Sequence, residues 1–339
     1  RLRIVGSYFL PAAAARLGVR PYPQEVVLEL TNHCNLACVM CPHKDMTRAK
    51  GLMDEALFRR IIDEISGHSE LVYLYGTGES LIHPGLCDYI RYARSKGLTT
   101  CLSTNGQLMD EAASRALLAS GLDFLIVALD GGVRETYESI RVKGSFPRLV
   151  DNIRGLLRLK RETRSPVHLT LQMIYMPRNR HEIGSFTGLF SKNERAQVDS
   201  FRFKPLYETY ALQKLPVRHT RPCFWLWNML SVHWNGHVSL CCMDGDGAYD
   251  LGDLNAQSVT EVWNGPELAS IRARHSRVEY DGMPLCATCD MPELGYFSPL
   301  TILGSLFLDA GQVRRLIPLY EKYVLLPAGR TKTAPDGAQ

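Results

Sequence analysis

The 339-residue chain has no apolar run long enough to cross a bilayer, which takes about 20 residues of helix. The apolar run that starts at Ile4 is cut by Pro11 and then meets Arg16 and Arg20, and the run near Leu300 to Leu308 is shorter still. Both read as helices packed on the body of the protein, and no signal peptide is expected. A net charge of +4 is too weak to argue for a nucleic-acid surface, which calls for a basic stripe and a higher pI. No cysteine lies between residues 102 and 222, and none follows Cys289. The ten cysteines are therefore grouped, which reads as metal ligation rather than as the disulfide framework of a secreted chain. The rest is ordinary: 45% hydrophobic and 22% charged residues describe a globular protein of one large domain or two average ones.

The first group is Thr31 to Pro42, TNHCNLACVMCP, with Cys34, Cys38 and Cys41 in C-x3-C-x2-C spacing. Thiolates suit soft metals, and cubane iron–sulfur clusters are held by cysteine. Three thiolates leave one corner of a four-iron cube open. Zinc is the alternative, with His33 or His43 as a fourth ligand.

Around this loop the chain alternates. Strands are expected at Glu25 to Leu30, Leu71 to Tyr75, Thr99 to Ser103, Phe124 to Leu129, Val167 to Tyr175 and Ser200 to Lys204. Helices are expected between them: Asp54 to Ser66, Gly85 to Lys96, Asp110 to Ser120, Val133 to Arg141, Phe146 to Arg161 and His181 to Phe190. Six strand–helix steps imply a parallel sheet with right-handed crossovers. Ligands of such sheets bind at the carboxyl ends of the strands. The unusual segments fall there: the cysteines, Gly76-Thr77-Gly78-Glu79, Thr104-Asn105-Gly106 and Asp130-Gly131-Gly132.

The cysteine spacing, with Met40 before the last thiol, resembles the radical S-adenosylmethionine (SAM) signature. In that family the open iron is chelated by SAM, which is cleaved to a 5′-deoxyadenosyl radical. The resemblance implies a partial (β/α)6 barrel over residues 25–215, after an N-terminal extension of residues 1–24. It places Met40 against the adenine. Gly78 and Glu79 resemble the GGE motif that receives the SAM amino group, with Thr77 in place of its first glycine. Ser103 and Asn105 would line the SAM pocket, and Asp130 would lie near the ribose. Ala128 stands where serine is usual in that segment. Arg141 would pair with the SAM carboxylate.

A second group starts at Cys223. Ser231 to Cys241 reads as a hairpin around Asn235-Gly236. Ser258-x-x-Glu261 is a capping box opening a helix to about Arg274, and Cys286 and Cys289 form a C-x2-C pair. Four thiolates from Cys223, Cys241, Cys286 and Cys289 suit a zinc ribbon or a fully ligated cluster. The arrangement resembles the truncated SPASM, or twitch, domain: a β-hairpin plus helix over residues 216–295, holding one auxiliary four-iron cluster. A C-terminal helix and tail over residues 296–339 complete the expected α/β architecture.

These resemblances imply two [4Fe-4S] clusters, SAM, a flavodoxin- or ferredoxin-type electron donor and a cytoplasmic enzyme that contacts neither nucleic acid nor membrane. A cluster with four thiolates has no open iron and is suited to moving electrons. The implied reaction is oxidation of a carbinol carbon to a ketone on an aminocyclitol or sugar, as in antibiotic pathways. Epimerisation of an aminoglycoside, carbon–carbon coupling on a sugar nucleotide and peptide modification are the alternatives. The 24 leading residues are too few for a leader-binding domain, which argues against the peptide. Lys204, Tyr207 and Cys101 are candidate catalytic residues, and Gln172 a further substrate contact. Cys87 reads as core. Cys101 shares a strand face with Ser103, and Cys242 could substitute for Cys241. A zinc-bound scaffold is the rival from outside enzymology.

Overall fold

A computed structural model describes residues 21–206, 219–220 and 222–291. Tyr207, the tail from residue 296 and most of the expected N-terminal extension lie outside the described residues.

Six parallel strands alternate with helices. They are β1 (Glu25–Leu28), β2 (Leu71–Tyr73), β3 (Thr99–Thr104), β4 (Phe124–Ala128), β5 (His168–Tyr175) and β6 (Ser200–Pro205). Each pairs in parallel with the next. Alternate residues divide the sheet into two faces. Val26, Val72, Leu102, Leu125 and Leu171 are buried in the core that the strands share with the helices. Val27, Tyr73, Cys101, Ile126 and Thr170, each one residue away, face a central cavity.

The helices start where their capping residues stand. Asp54 accepts from the Ala56 amide at the head of α1 (Glu55–Ile65). After α2 (Leu86–Ser95), Asp110 caps α3 (Glu111–Ala119). After α4 (Arg134–Ile140), Ser145 caps α5 (Phe146–Thr163). Each cap satisfies an amide that the first helical turn leaves unpaired. On α1, Leu57, Phe58, Ile61, Ile62 and Ile65 form the buried stripe.

Two expected helices are broken. His181 to Phe190 folds as short 3-10 turns flanking α6 (Ile183–Phe186), and α7 (Lys192–Arg195) follows under its own Ser191 cap. The expected helix from Ser258 divides into α8 (Val259–Trp263) and α9 (Pro266–Ser276). Pro266 has no amide proton and starts a helix well but does not continue one.

The second cysteine group is carried on the same sheet. The hairpin strands are β7 (Met229–Val232) and β8 (His237–Ser239), and β9 (Asp250–Asp253) adds an antiparallel edge that the sequence did not signal. β7 pairs in parallel with β1, Glu25 opposite Met229 and Leu28 opposite Val232. The order among the described residues is β6-β5-β4-β3-β2-β1-β7-β8-β9. Gly236, at φ +92°, makes the hairpin turn as the Asn-Gly pair predicts. A short α10 (Pro284–Ala287) carries Cys286.

Candidate functional site

β1 ends at the cysteine loop. Asn32 holds the loop from inside: its Nδ2 donates to the Ala49 carbonyl and its Oδ1 accepts from the Gly51 amide. His43 is buried with Nε2 2.8 Å from the Asn32 carbonyl oxygen, so it braces the loop, while His33 is exposed.

The Gly76–Glu79 turn presses on the same loop. The Glu79 amide donates to the His33 carbonyl at 2.8 Å. A Cβ on Gly78 would lie 2.2 Å from the Thr31 carbonyl oxygen, so only glycine permits this approach. The Glu79 carboxylate is buried and accepts from Thr104 Oγ1, the Asn105 amide and the Leu81 amide. Burial raises its pKa, and these bonds offset only part of the rise. Its acceptors thus clasp the ends of β2 and β3 together. Asn105 carries the clasp to the cysteine loop: its Nδ2 donates to Asn35 Oδ1 at 2.9 Å and lies 4.0 Å from Cys34 Sγ.

Asp130 is fully buried. It accepts from the Ile174 amide at 2.7 Å and pairs with Arg141 at 2.5 Å. Arg141 Nη1 lies 3.4 Å from Cys38 Sγ. Burial opposes the Arg141 charge, but Asp130 and Cys38 more than offset it, so its pKa rises. Asp130 therefore aims a permanent cation at the cysteine loop.

The thiols lie within electrostatic reach of one another. Burial pushes the free Cys34 thiol up to about 11, with Glu79, Cys38 and Cys41 adding to the rise. The second set behaves alike. Burial pushes Cys223 and Cys286 up to about 12, and Cys289 contributes to both. Cys241 is raised by burial and then by Cys242, Cys223 and Cys289. Cys242 also feels Cys223 and Cys289. Among the described residues no three His, Cys, Asp or Glu side chains converge tightly enough to hold a single metal ion. The Arg141 and Asn105 donors suit cluster sulfur. Cys34, Cys38 and Cys41 could hold one cluster, and Cys223, Cys241 or Cys242, Cys286 and Cys289 a second.

A cavity of about 610 Å³ joins the two sets. Met40, Cys41 and Arg141 line it together with Cys241 and Cys242, and Ser103, Cys101 and Lys204 join them from the strands. Cys101 is buried, and burial pushes its thiol up to about 12. Gln172 is buried on β5 in register with Arg202. Cys87 is half-buried against the core.

Sequence reasoning passed over one group. Glu29, one residue past β1, also lines the cavity. It pairs with Arg48 at 2.5 Å, and His233 Nδ1 stands 3.6 Å away. Burial favours its neutral form, yet the bonds from His233 and Arg48 bring its pKa down to about 2. An acid straight after the continuous apolar run of residues 26–28 was the available signal.

Comparison with known proteins bears on these two cysteine sets. Residues 28–187 match the radical SAM superfamily, and residues 223–290 match the SPASM iron–sulfur cluster-binding domain. The chain joins a radical SAM domain to an SPASM domain. Its cofactors are accordingly the radical SAM [4Fe-4S] cluster with SAM, and an SPASM auxiliary iron–sulfur cluster. The chain is also similar to curated relatives. Over 105 residues it is 34% identical to the tungsten-containing aldehyde ferredoxin oxidoreductase cofactor-modifying protein of Pyrococcus furiosus, covering 30% of each chain. Over 124 residues it is 36% identical to Fe-coproporphyrin III synthase of Methanosarcina barkeri, covering 36% of this chain and 31% of that one. The matches span about a third of the length of these relatives. Among solved structures, BtrN in complex with AdoMet and 2-DOIA superposes with a TM-score of 0.55 at 16% identity, covering 79% of this chain and 92% of BtrN. Streptococcus suis SuiB bound to precursor peptide SuiA gives 0.62 at 12% identity, over 83% and 73%. At such identities the likeness is one of fold. No helix among the described residues is long and apolar enough to cross a membrane.

Proposed function

We propose that this radical SAM/SPASM chain is an oxidoreductase that takes a hydrogen atom from a carbinol carbon of an aminocyclitol or sugar and leaves a ketone. The observation that carries the reading is the shared cavity: residues of both cysteine sets line it, Cys41 of the first and Cys241 and Cys242 of the second. A substrate held between them is within reach of a hydrogen-abstracting centre and of an electron acceptor. The cofactors supply a 5′-deoxyadenosyl radical at the open cluster and a one-electron sink at the auxiliary one. Held by Cys34, Cys38 and Cys41, the first cluster with SAM would supply the group that takes the carbinol hydrogen, and the second, held by Cys223, Cys241, Cys286 and Cys289, would accept the electron left once the hydroxyl hydrogen departs as a proton. A flavodoxin- or ferredoxin-type donor provides the electron that starts the cycle.

In this reading Cys34, Cys38 and Cys41 hold the first cluster. Met40, Ser103 and Arg141 face SAM, and Gly78, Glu79, Asn105 and Asp130 fix the loops around it. Cys223, Cys241, Cys286 and Cys289 hold one auxiliary cluster of the twitch type. With five cysteines from residue 223 onward, the chain has ligands for one such cluster and a spare thiol.

Anaerobic reconstitution tests this. The reading requires about eight irons per chain, SAM cleavage to 5′-deoxyadenosine, and a two-dalton loss from a polyol substrate. Substrate deuterium must appear in the 5′-deoxyadenosine. A product of unchanged mass with solvent hydrogen at one carbon assigns an epimerase instead, and zinc-loaded colourless protein refutes the cluster chemistry.

A further inference from the structure

Outside the cavity, α9 carries a buried cation whose partners are all neutral. Arg272 is 4% exposed. Its Nε donates to the Leu226 carbonyl at 2.8 Å and its Nη1 to the Trp263 carbonyl at 2.7 Å. The guanidinium lies over the Trp263 ring, 4.1 Å from its centroid. Nη2 is buried with no hydrogen-bond partner. Burial brings the Arg272 pKa down to about 10, and no carboxylate of a described residue offsets that. A buried charge left without a counter-charge is strongly destabilising. Leu226 joins this cation to the second cysteine set. It belongs to the 3-10 turn Phe224–Trp227, which Cys223 opens. The amides of Trp225 and Leu226 hydrogen-bond Cys223 and favour its thiolate. Arg272 therefore grips the chain one turn past Cys223, about 6 Å of rise. Four thiolates around a four-iron core carry a net negative charge, which grows by one on reduction. A unit charge about 10 Å away, at an effective dielectric constant of about 20, shifts such a one-electron equilibrium roughly tenfold.

We propose that Arg272 is a positioning residue of the auxiliary centre: it holds the Cys223 turn and supplies the buried positive charge that makes it easier for that centre to accept an electron. The inference deepens the acceptor role given to the second cysteine set and rests on that set holding a cluster.

A redox titration of the anaerobically reconstituted full chain, followed by electron paramagnetic resonance, tests this. SAM alters the signal of the cluster with an open iron and not that of a four-thiolate cluster, so the two potentials are read separately. Arg272→Gln, which removes the charge and keeps a donor, should make reduction of the auxiliary cluster about tenfold less favourable, a fall of about 59 mV for one electron. Arg272→Lys, which keeps the charge, should stay within threefold of the wild type. The potential of the first cluster should not move in either variant. If Arg272→Gln fails to load the second cluster, Arg272→Lys gives the reading: it should load and hold the wild-type potential. A wild-type potential in Arg272→Gln, an equal fall in both variants, or loss of the cluster from both leaves Arg272 a structural clamp and overturns the proposal. The titration uses no substrate, so its failure is separable from failure of the two-dalton oxidation, which would sink the oxidoreductase reading instead.

Discussion

At the scale of single residues, close approach decides more than polarity does. Gly78 has backbone carbonyls at 2.2 and 2.7 Å from where a Cβ would sit. Gly97 has a positive φ of +82° but open space around it. Gly78→Ala must therefore push the Gly76–Glu79 turn off the cysteine loop, at a cost of about 3 kcal/mol or more. Gly97→Ala should cost about 1 kcal/mol through backbone strain alone. Urea denaturation and iron content separate them: only the first variant should lose iron. Glu29 gives a pH prediction. Its pKa falls from 4.5 to about 2 on folding. The stability this contributes is fully present above pH 4.5 and is lost as pH falls toward 2, on the order of 3 kcal/mol for a group so buried. Glu29→Gln should flatten the acid limb of the stability curve in that window. It should also lower neutral-pH stability by about 3–5 kcal/mol, because Arg48 stays buried without its partner. An unchanged acid limb would show that the carboxyl titrates normally.

At the scale of elements, the helices were legible because their ends are written in short range. Asp54, Asp110, Ser145 and Ser258 each cap the helix they were expected to open. Strand ends were less legible: the expected strand ran to Leu30, whereas β1 ends at Leu28, with the Glu29 amide still donating to the Val232 carbonyl. β9 was invisible because Asp250–Asp253 has almost no strand propensity and is recruited by pairing with β8. The cysteines were legible as sets from spacing alone. The partners that tie Glu79, Asn105 and Asp130 down were not, since Thr104, Asn35 and Ile174 are joined to them only by tertiary contact. Ser258 offers a local test. Both halves of its capping box form, Ser258 Oγ accepting from the Glu261 amide and the Glu261 carboxylate accepting from the Ser258 amide. Ser258→Ala should cost about 1 kcal/mol in chemical denaturation and leave iron content untouched. A loss of iron on that change would mean that α8 shapes the second cysteine set directly.

At the scale of the molecule, the question is what keeps two cysteine sets from separate parts of the sequence in one register. The β1–β7 ladder fixes the sheet, but the loops above it need their own link. Residues 47–51 supply it. Asp246 Oδ1 accepts from the amides of Thr47 and Arg48, and its Oδ2 from Thr47 Oγ1 at 2.8 Å. Arg48 Nε donates to the Gly245 carbonyl while its Nη2 holds Glu29. Trp234 Nε1 donates to the Ala49 carbonyl at 3.1 Å. The segment that follows Cys41 is thus bound to the segment that follows Cys241 and Cys242. Asp246 is itself exposed, so its removal should loosen this link without disturbing the core. Asp246→Ala is expected to leave iron content and melting temperature nearly unchanged. Hydrogen exchange at the Thr47 and Arg48 amides should rise about five- to tenfold, the loss of protection expected when charge-assisted bonds worth about 1–1.4 kcal/mol are removed. If those amides exchange at the wild-type rate, Arg48 and Trp234 hold the loop without Asp246, and the register of the two cysteine sets depends on the buried Arg48–Glu29 pair instead.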